Sequence, residues 1–163
     1  MEIYLLRSIF EINNKTRKTM KRILFVLIGL LAIGSISKAD DRPVRFEQLP
    51  KAAQKFVKVN FPENKVLSAS KDDDLMFPEY EVVLDNGTSL DFKNDGSLEK
   101  VKSSQTGVPA AIIPLKIREY VSVHYPQVKY LEYEVDKTGY EVKISNGLEL
   151  RFNTSFHLVD IDD

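Results

Sequence analysis

Apolar residues fall at two distinct periods along the chain, and each period occurs twice in the same order. Ala53, Phe56, Val57, Asn60 and Phe61 follow the i, i+3, i+4, i+7, i+8 spacing of one buried helical stripe, as do Ile113, Ile117, Tyr120, Val121, His124 and Tyr125. Pro50 suits the opening turn of the first helix. Pro62 and Pro126 close the two helices, because proline disfavours helical geometry in the residue before it.

Beyond each helix the period drops to two. Tyr80, Val82 and Leu84 alternate with more polar positions, as do Leu90 and Phe92, which predicts half-buried strands. A two-residue Asn-Gly turn would set Leu84 beside Ser89 on one face. A three-residue loop, Asp85-Asn86-Gly87, instead pairs Val82 with Leu90 and Tyr80 with Phe92. Ser145-Asn146-Gly147 does the same for Val142 with Leu150 and Tyr140 with Phe152. A hairpin at Asn94-Asp95-Gly96 pairs Phe92 with Leu98. Earlier strands at Val66 to Lys71 and Tyr130 to Val135 complete four strands per copy.

The copies are visible as text. Leu49 to Pro62 reads against Ile113 to Pro126, and Tyr80-Glu81-Val82-Val83-Leu84-Asp85-Asn86-Gly87 against Tyr140-Glu141-Val142-Lys143-Ile144-Ser145-Asn146-Gly147. An internal copy sets architecture before any single residue is interpreted. The expected fold class is α+β, a tandem repeat of a helix packed on a four-stranded antiparallel meander sheet. Its halves are residues 40–102 and 108–163, joined by a linker at 103–107. Each half alone is a marginal core, so the two are expected to pack together.

The N-terminal region changes the picture of compartment. Met20-Lys21-Arg22, the apolar run Ile23 to Gly34, and the small residues before Asp40 follow the order of a secretory signal peptide over 20–39, with cleavage after Ala39. Residues 1–19 read as an upstream extension, with Met20 as the translation start. What remains holds 16 Lys/Arg against 22 Asp/Glu, a formal charge near −6. That sign argues against nucleic acid, which needs clustered cations. Cysteine is absent, which excludes disulfides, thiol nucleophiles and a lipid anchor on a terminal Cys. The expected location is the periplasm or the extracellular space, with no stable membrane anchor after cleavage.

Catalytic patterns are missing. His124 and His157 are the two imidazoles; neither belongs to a zinc or nucleophile motif, and His124 reads as a partly buried polar residue at a helix end. The run from Asp91 to Gly96 imitates a calcium loop, but Lys93 would be its third ligand and Lys102 would replace its closing Glu. No metal, cofactor or catalytic residue is expected.

In combination these segments, with Val108-Pro109-Ala110-Ala111-Ile112-Ile113-Pro114 between them, resemble the PepSY-like family of secreted Bacteroidetes proteins, called beta-lactamase-inhibitor-like for their fold. The resemblance covers essentially all of the chain after the signal. It implies the beta-lactamase-inhibitory-protein type of fold and an exported location; it brings no activity and no catalytic residues.

Candidate binding residues come from the register. It sets Glu81 opposite Asp91 and Asp91 opposite Glu99 on the outer face of the first sheet, and like charges directly opposite one another are destabilising. The second sheet holds Glu141, Arg151 and Val159 there, with Lys143 facing Glu149, a neutralised arrangement. The acidic row reads either as the receiver of a basic partner or as a solvated face relieved by Lys93 and Lys100. Phe156, at a hairpin tip where the first copy has Gly96, is expected to find little to pack on in its own repeat and to serve as an interface anchor. Met76 and Phe77 lie in an insertion of four residues and are expected on a protruding loop. The leading reading is a non-enzymatic module that binds a protein or peptide partner and inhibits a hydrolase. The alternative is a small-ligand binder with a groove between the repeats.

Overall fold

The computed structural model describes residues 41–72 and 79–163. The expected signal peptide, its cleavage point, and Met76 and Phe77 lie outside the described residues. The order is strand β1 (Asp41–Pro43), helix α1 (Lys51–Asn60), strands β2 (Val66–Asp72), β3 (Glu79–Leu84), β4 (Ser89–Lys93) and β5 (Leu98–Lys102), helix α2 (Leu115–His124), then β6 (Tyr130–Val135), β7 (Gly139–Ile144), β8 (Glu149–Asn153) and β9 (Leu158–Asp162). A short 3-10 turn precedes each helix, at Phe46–Gln48 and Ala110–Ile112.

All nine strands form one antiparallel sheet in chain order, β1 to β9. This differs from the expectation of a separate four-stranded sheet per copy. Lys100, Val101 and Lys102 pair with Glu134, Tyr133 and Glu132, so β5 and β6 continue one ladder across the middle. Strand β1 was not foreseen; three residues ending in Pro43 carry too little pattern to be read.

The expected linker is a pinned turn. Thr88 and Ser103 are both buried, with Thr88 Oγ1 donating to Ser103 Oγ at 3.0 Å. The Ser103 amide donates to Leu131 O, and the Val108 amide to Tyr130 O. A buried backbone needs such partners, and here they hold the crossing to α2 against the sheet.

One face of the sheet is covered by the helices. Leu84, Leu90, Phe92, Val101, Ile117, Val121, Val142, Ile144 and Leu150 are almost wholly buried between the layers. Phe56 meets Phe92 edge-on at 5.7 Å, and Tyr120 meets Phe152 edge-on at 5.5 Å. Each such side chain contributes about 1.5–3 kcal/mol by leaving water.

The helix ends are held in matching ways. Gln54 Nε2 donates back to Glu47 O and Leu49 O, and at the corresponding place in α2 Arg118 Nε donates to Ile113 O. At the other end Asn60 Nδ2 donates to Phe56 O, while His124 Nδ1 lies 2.8 Å from Tyr120 O. His124 is exposed and stacked on Tyr120 at 4.1 Å, not partly buried; the helix end carries its ring past the core onto a neighbouring aromatic.

The Asn-Gly loops have the register that the inward pattern demands. Tyr80 pairs with Phe92 and Val82 with Leu90; Tyr140 pairs with Phe152 and Val142 with Leu150. Gly87, at φ +77°, donates its amide to Leu84 O, which closes the three-residue loop. At the β4–β5 hairpin the helix comes closer still. A Cβ on Gly96 would lie 2.7 Å from Pro50 Cβ, and its φ is +84°. Only glycine suits both demands.

Candidate functional site

The outer face of the sheet carries charge in rows set by the ladder. Ser70, Glu81, Asp91, Lys100, Glu134, Glu141, Arg151 and Asp160 follow one another strand by strand from β2 to β9. Glu81 does face Asp91. Asp91, however, pairs with Lys100 and not with Glu99, because a bulge lies between Asp91 and Phe92. A bulge sets two residues against one, and Glu99 is the extra residue.

The signal for that bulge is in the sequence. Leu98 and Val101 are three residues apart, whereas their inward partners Phe92 and Leu90 are two apart, so β5 must take up one residue more. The same mismatch marks β9, where Leu158 and Ile161 face Phe152 and Leu150, so that Asp160 rather than Val159 pairs with Arg151. It recurs in β2 and β6, each with its own register shift.

The bulge gathers four carboxyl groups instead of three, adding Glu79, which sequence reasoning missed. Burial pushes Asp91 up to about 6; Glu81 adds to this, Lys100 opposes it, and Glu79 and Glu99 raise it further. Burial also raises Glu79, followed by its charge and hydrogen-bond interaction with Glu99, while Lys93 opposes. Glu99 Oε2 is buried with no hydrogen-bond partner.

Lys100, the ladder partner of Asp91, is engaged elsewhere. Its ammonium lies 2.5 Å from Glu132 Oε1 and 3.0 Å from Glu134 Oε2 on the next strand. It therefore clamps the two halves of the sheet and only partly offsets Asp91. In the second half a cation sits among the carboxylates: Arg151 lies 2.9 Å from Glu141, 3.0 Å from Asp160 and 2.8 Å from Asp162.

Phe156 corrects an expectation. It does pack within its own half, stacked on Tyr140 at 4.9 Å with the Lys116 ammonium 5.4 Å from its ring. It holds φ +65° where its counterpart is Gly96, and the ring folds inward from the hairpin tip.

Among the described residues, two clefts each lie within one half. The first, of about 340 Å³, spreads over β6 to β9 above Gly139, bounded by Glu134, Thr138, Glu141, Arg151 and Val159. The second, of about 290 Å³, lies under α1 between Phe46, Val57, Phe61 and Val66. Gly139 is fixed by its surroundings: a Cβ there would sit 2.0 Å from Phe152 O. Its counterpart in the first half is Glu79, since Gly139 pairs with Asn153 as Glu79 pairs with Lys93.

Among the described residues no group of three or more His, Cys, Asp or Glu side chains could hold a metal ion, and no helix is long and apolar enough to cross a membrane. The Asp95 carboxylate is committed to its own hairpin, accepting from the Ser97 amide and hydroxyl.

The comparison with curated proteins found no match. Solved structures do match. A Bacteroides thetaiotaomicron protein described as calcium-regulated and periplasmic is 44% identical, with TM-score 0.74, covering 76% of this chain and 98% of its own. A Bacteroides vulgatus protein described as periplasmic is 42% identical at the same TM-score and coverage. A second periplasmic protein of Bacteroides vulgatus, of unknown function, is 29% identical, with TM-score 0.72, covering 76% of this chain and 99% of its own. The family described as "Putative beta-lactamase-inhibitor-like, PepSY-like" matches residues 36–77 and 78–160. With that match spanning most of its length, the chain belongs to the PepSY-like, beta-lactamase-inhibitor-like family.

Proposed function

We propose that this chain is a non-enzymatic binding module of the periplasm or extracellular space that recognises a basic protein or peptide. The outer face of the first half, centred on Glu81, Asp91 and Glu99 and now including Glu79, is its contact surface. The observation that carries the reading is the half-buried Asp91, held beside like charges while its ladder partner Lys100 is drawn to Glu132 and Glu134. Such an arrangement costs the free protein stability, and a cationic side chain laid across it would recover that cost.

The periplasmic relatives support the location, and the family description supports inhibition of a hydrolase as the finer form of the activity. Calcium regulation belongs to the description of one relative. The described residues here offer no metal cluster, so no step is assigned to calcium.

The test is affinity capture from envelope extract with the wild-type protein and with Asp91→Asn, the bound proteins being identified by mass spectrometry. A partner with a basic surface, held less well by the variant and released by salt, is expected, since exposed charges are screened over about 8 Å at physiological ionic strength. Equal capture by both proteins would reject the acidic face as the contact.

A further inference from the structure

The two edges of the sheet are not alike. At one side lies β1, three residues long and ending in Pro43, which has no amide to donate. At the other lies β9, five residues without proline, beyond which no strand stands among the described residues. Edges of this second kind are templates for another strand.

β9 also exposes apolar side chains. Val159 is 62% and Ile161 42% exposed, although the matching strand inside the sheet, β5, buries Val101 completely. The bulge puts Val159 on the wall of the 340 Å³ cleft, which Gly139 also lines. An open edge beside a cleft is the arrangement by which sheets take up extended peptides: main-chain bonds give affinity and the cleft gives specificity.

Charge selects the occupant. On β9 and the two strands behind it, Glu141, Glu149, Asp160 and Asp162 stand against Arg151 and Lys143, an acidic excess. Arg151 draws Asp160 and Asp162 over the sheet face towards β8, away from the open side of β9. A second copy of the chain adding antiparallel through β9 would bring these aspartates against their own duplicates, which is unfavourable.

We propose that β9 is a docking edge for an extended, lysine- or arginine-rich segment of a partner protein, which adds as a tenth strand and seats one side chain in the adjoining cleft. The site goes beyond the acidic face of the first half and shares none of its residues, so either can fail alone.

The probe is a capped eight-residue peptide alternating Lys and Val, with a Glu-for-Lys peptide as control. Hydrogen–deuterium exchange of the purified protein reads the result. The Lys peptide is expected to slow exchange in β9 about tenfold and leave β1 and β3 unchanged. Asp160→Lys with Asp162→Lys, both surface positions, is expected to weaken binding about tenfold, and Val159→Arg is expected to weaken it by filling the cleft. Protection elsewhere or nowhere, equal binding of the Glu peptide, or concentration-dependent β9 protection without peptide would each overturn the proposal, the last by making a second copy the occupant.

Discussion

Replacing Asp91 with Asn should stabilise the free protein, and only above a definite pH. Asp91 is raised from an ordinary 3.8 to about 6 by burial and by Glu81. A carboxyl raised in this way binds its proton more tightly folded than unfolded. Its penalty is therefore absent below about pH 4, grows as pH rises through the interval from about 4 to 6, and is full above that. Two units at 1.36 kcal/mol each set a ceiling of about 3 kcal/mol, and solvent screening at this half-buried position reduces it to about 1–2 kcal/mol. The amide keeps the shape and removes the charge. Urea unfolding at pH 7.5 and pH 3.5 measures the gain as a shift in midpoint at unchanged slope, about 0.5–1 M at the higher pH for a slope near 2 kcal/mol/M. A gain of equal size at both pH values, or none at pH 7.5, would refute the electrostatic reasoning.

Two further outcomes follow from the same geometry. Lys100→Met should raise the Asp91 titration midpoint, followed by carboxyl carbon NMR, because Lys100 opposes the shift; it should also lower stability by about 1–3 kcal/mol by stranding Glu134 and leaving Glu132 only its longer contact to Lys102 at 3.7 Å. Gly139→Ala should cost more than Gly147→Ala in thermal unfolding, by roughly 1–3 kcal/mol, since a Cβ at 139 meets Phe152 O at 2.0 Å whereas nothing lies within 4 Å at 147.

The inward side of this fold was readable from its residues, and the outward side much less so. Tyr80, Val82, Leu90 and Phe92 declare their partners because a one-residue slip would move them all to solvent. Glu99 declares nothing of the kind, and its place depends on whether β5 runs straight or bulges between Leu98 and Val101. The spacing of those two residues contains the answer, but only when both are compared with Leu90 and Phe92 together. The joining of β5 to β6 leaves a fainter trace. Its outward partners are Lys100 with Glu134 and Lys102 with Glu132, charge pairs of a kind any solvated face can present, with the single inward pair Val101 and Tyr133 between them. Phe156 was misread because a hairpin tip looks solitary in sequence, whereas the turn folds its ring back onto Tyr140.

The strand order has a kinetic meaning as well. Among the described residues every strand pairs only with its neighbours in the chain, from β1 at one edge to β9 at the other, so no pairing skips over an intervening strand. The longest gap between neighbours is the stretch through α2, and the linking turn already holds Ser103 to Leu131 across it. Loop closure is therefore inexpensive at every step, and folding should be faster than the amount of sheet suggests, because rate follows the separation of contacts along the chain rather than the kind of secondary structure. A hairpin formed anywhere gives its neighbours an edge on which to grow, and growth through the described residues runs out at β1 and β9.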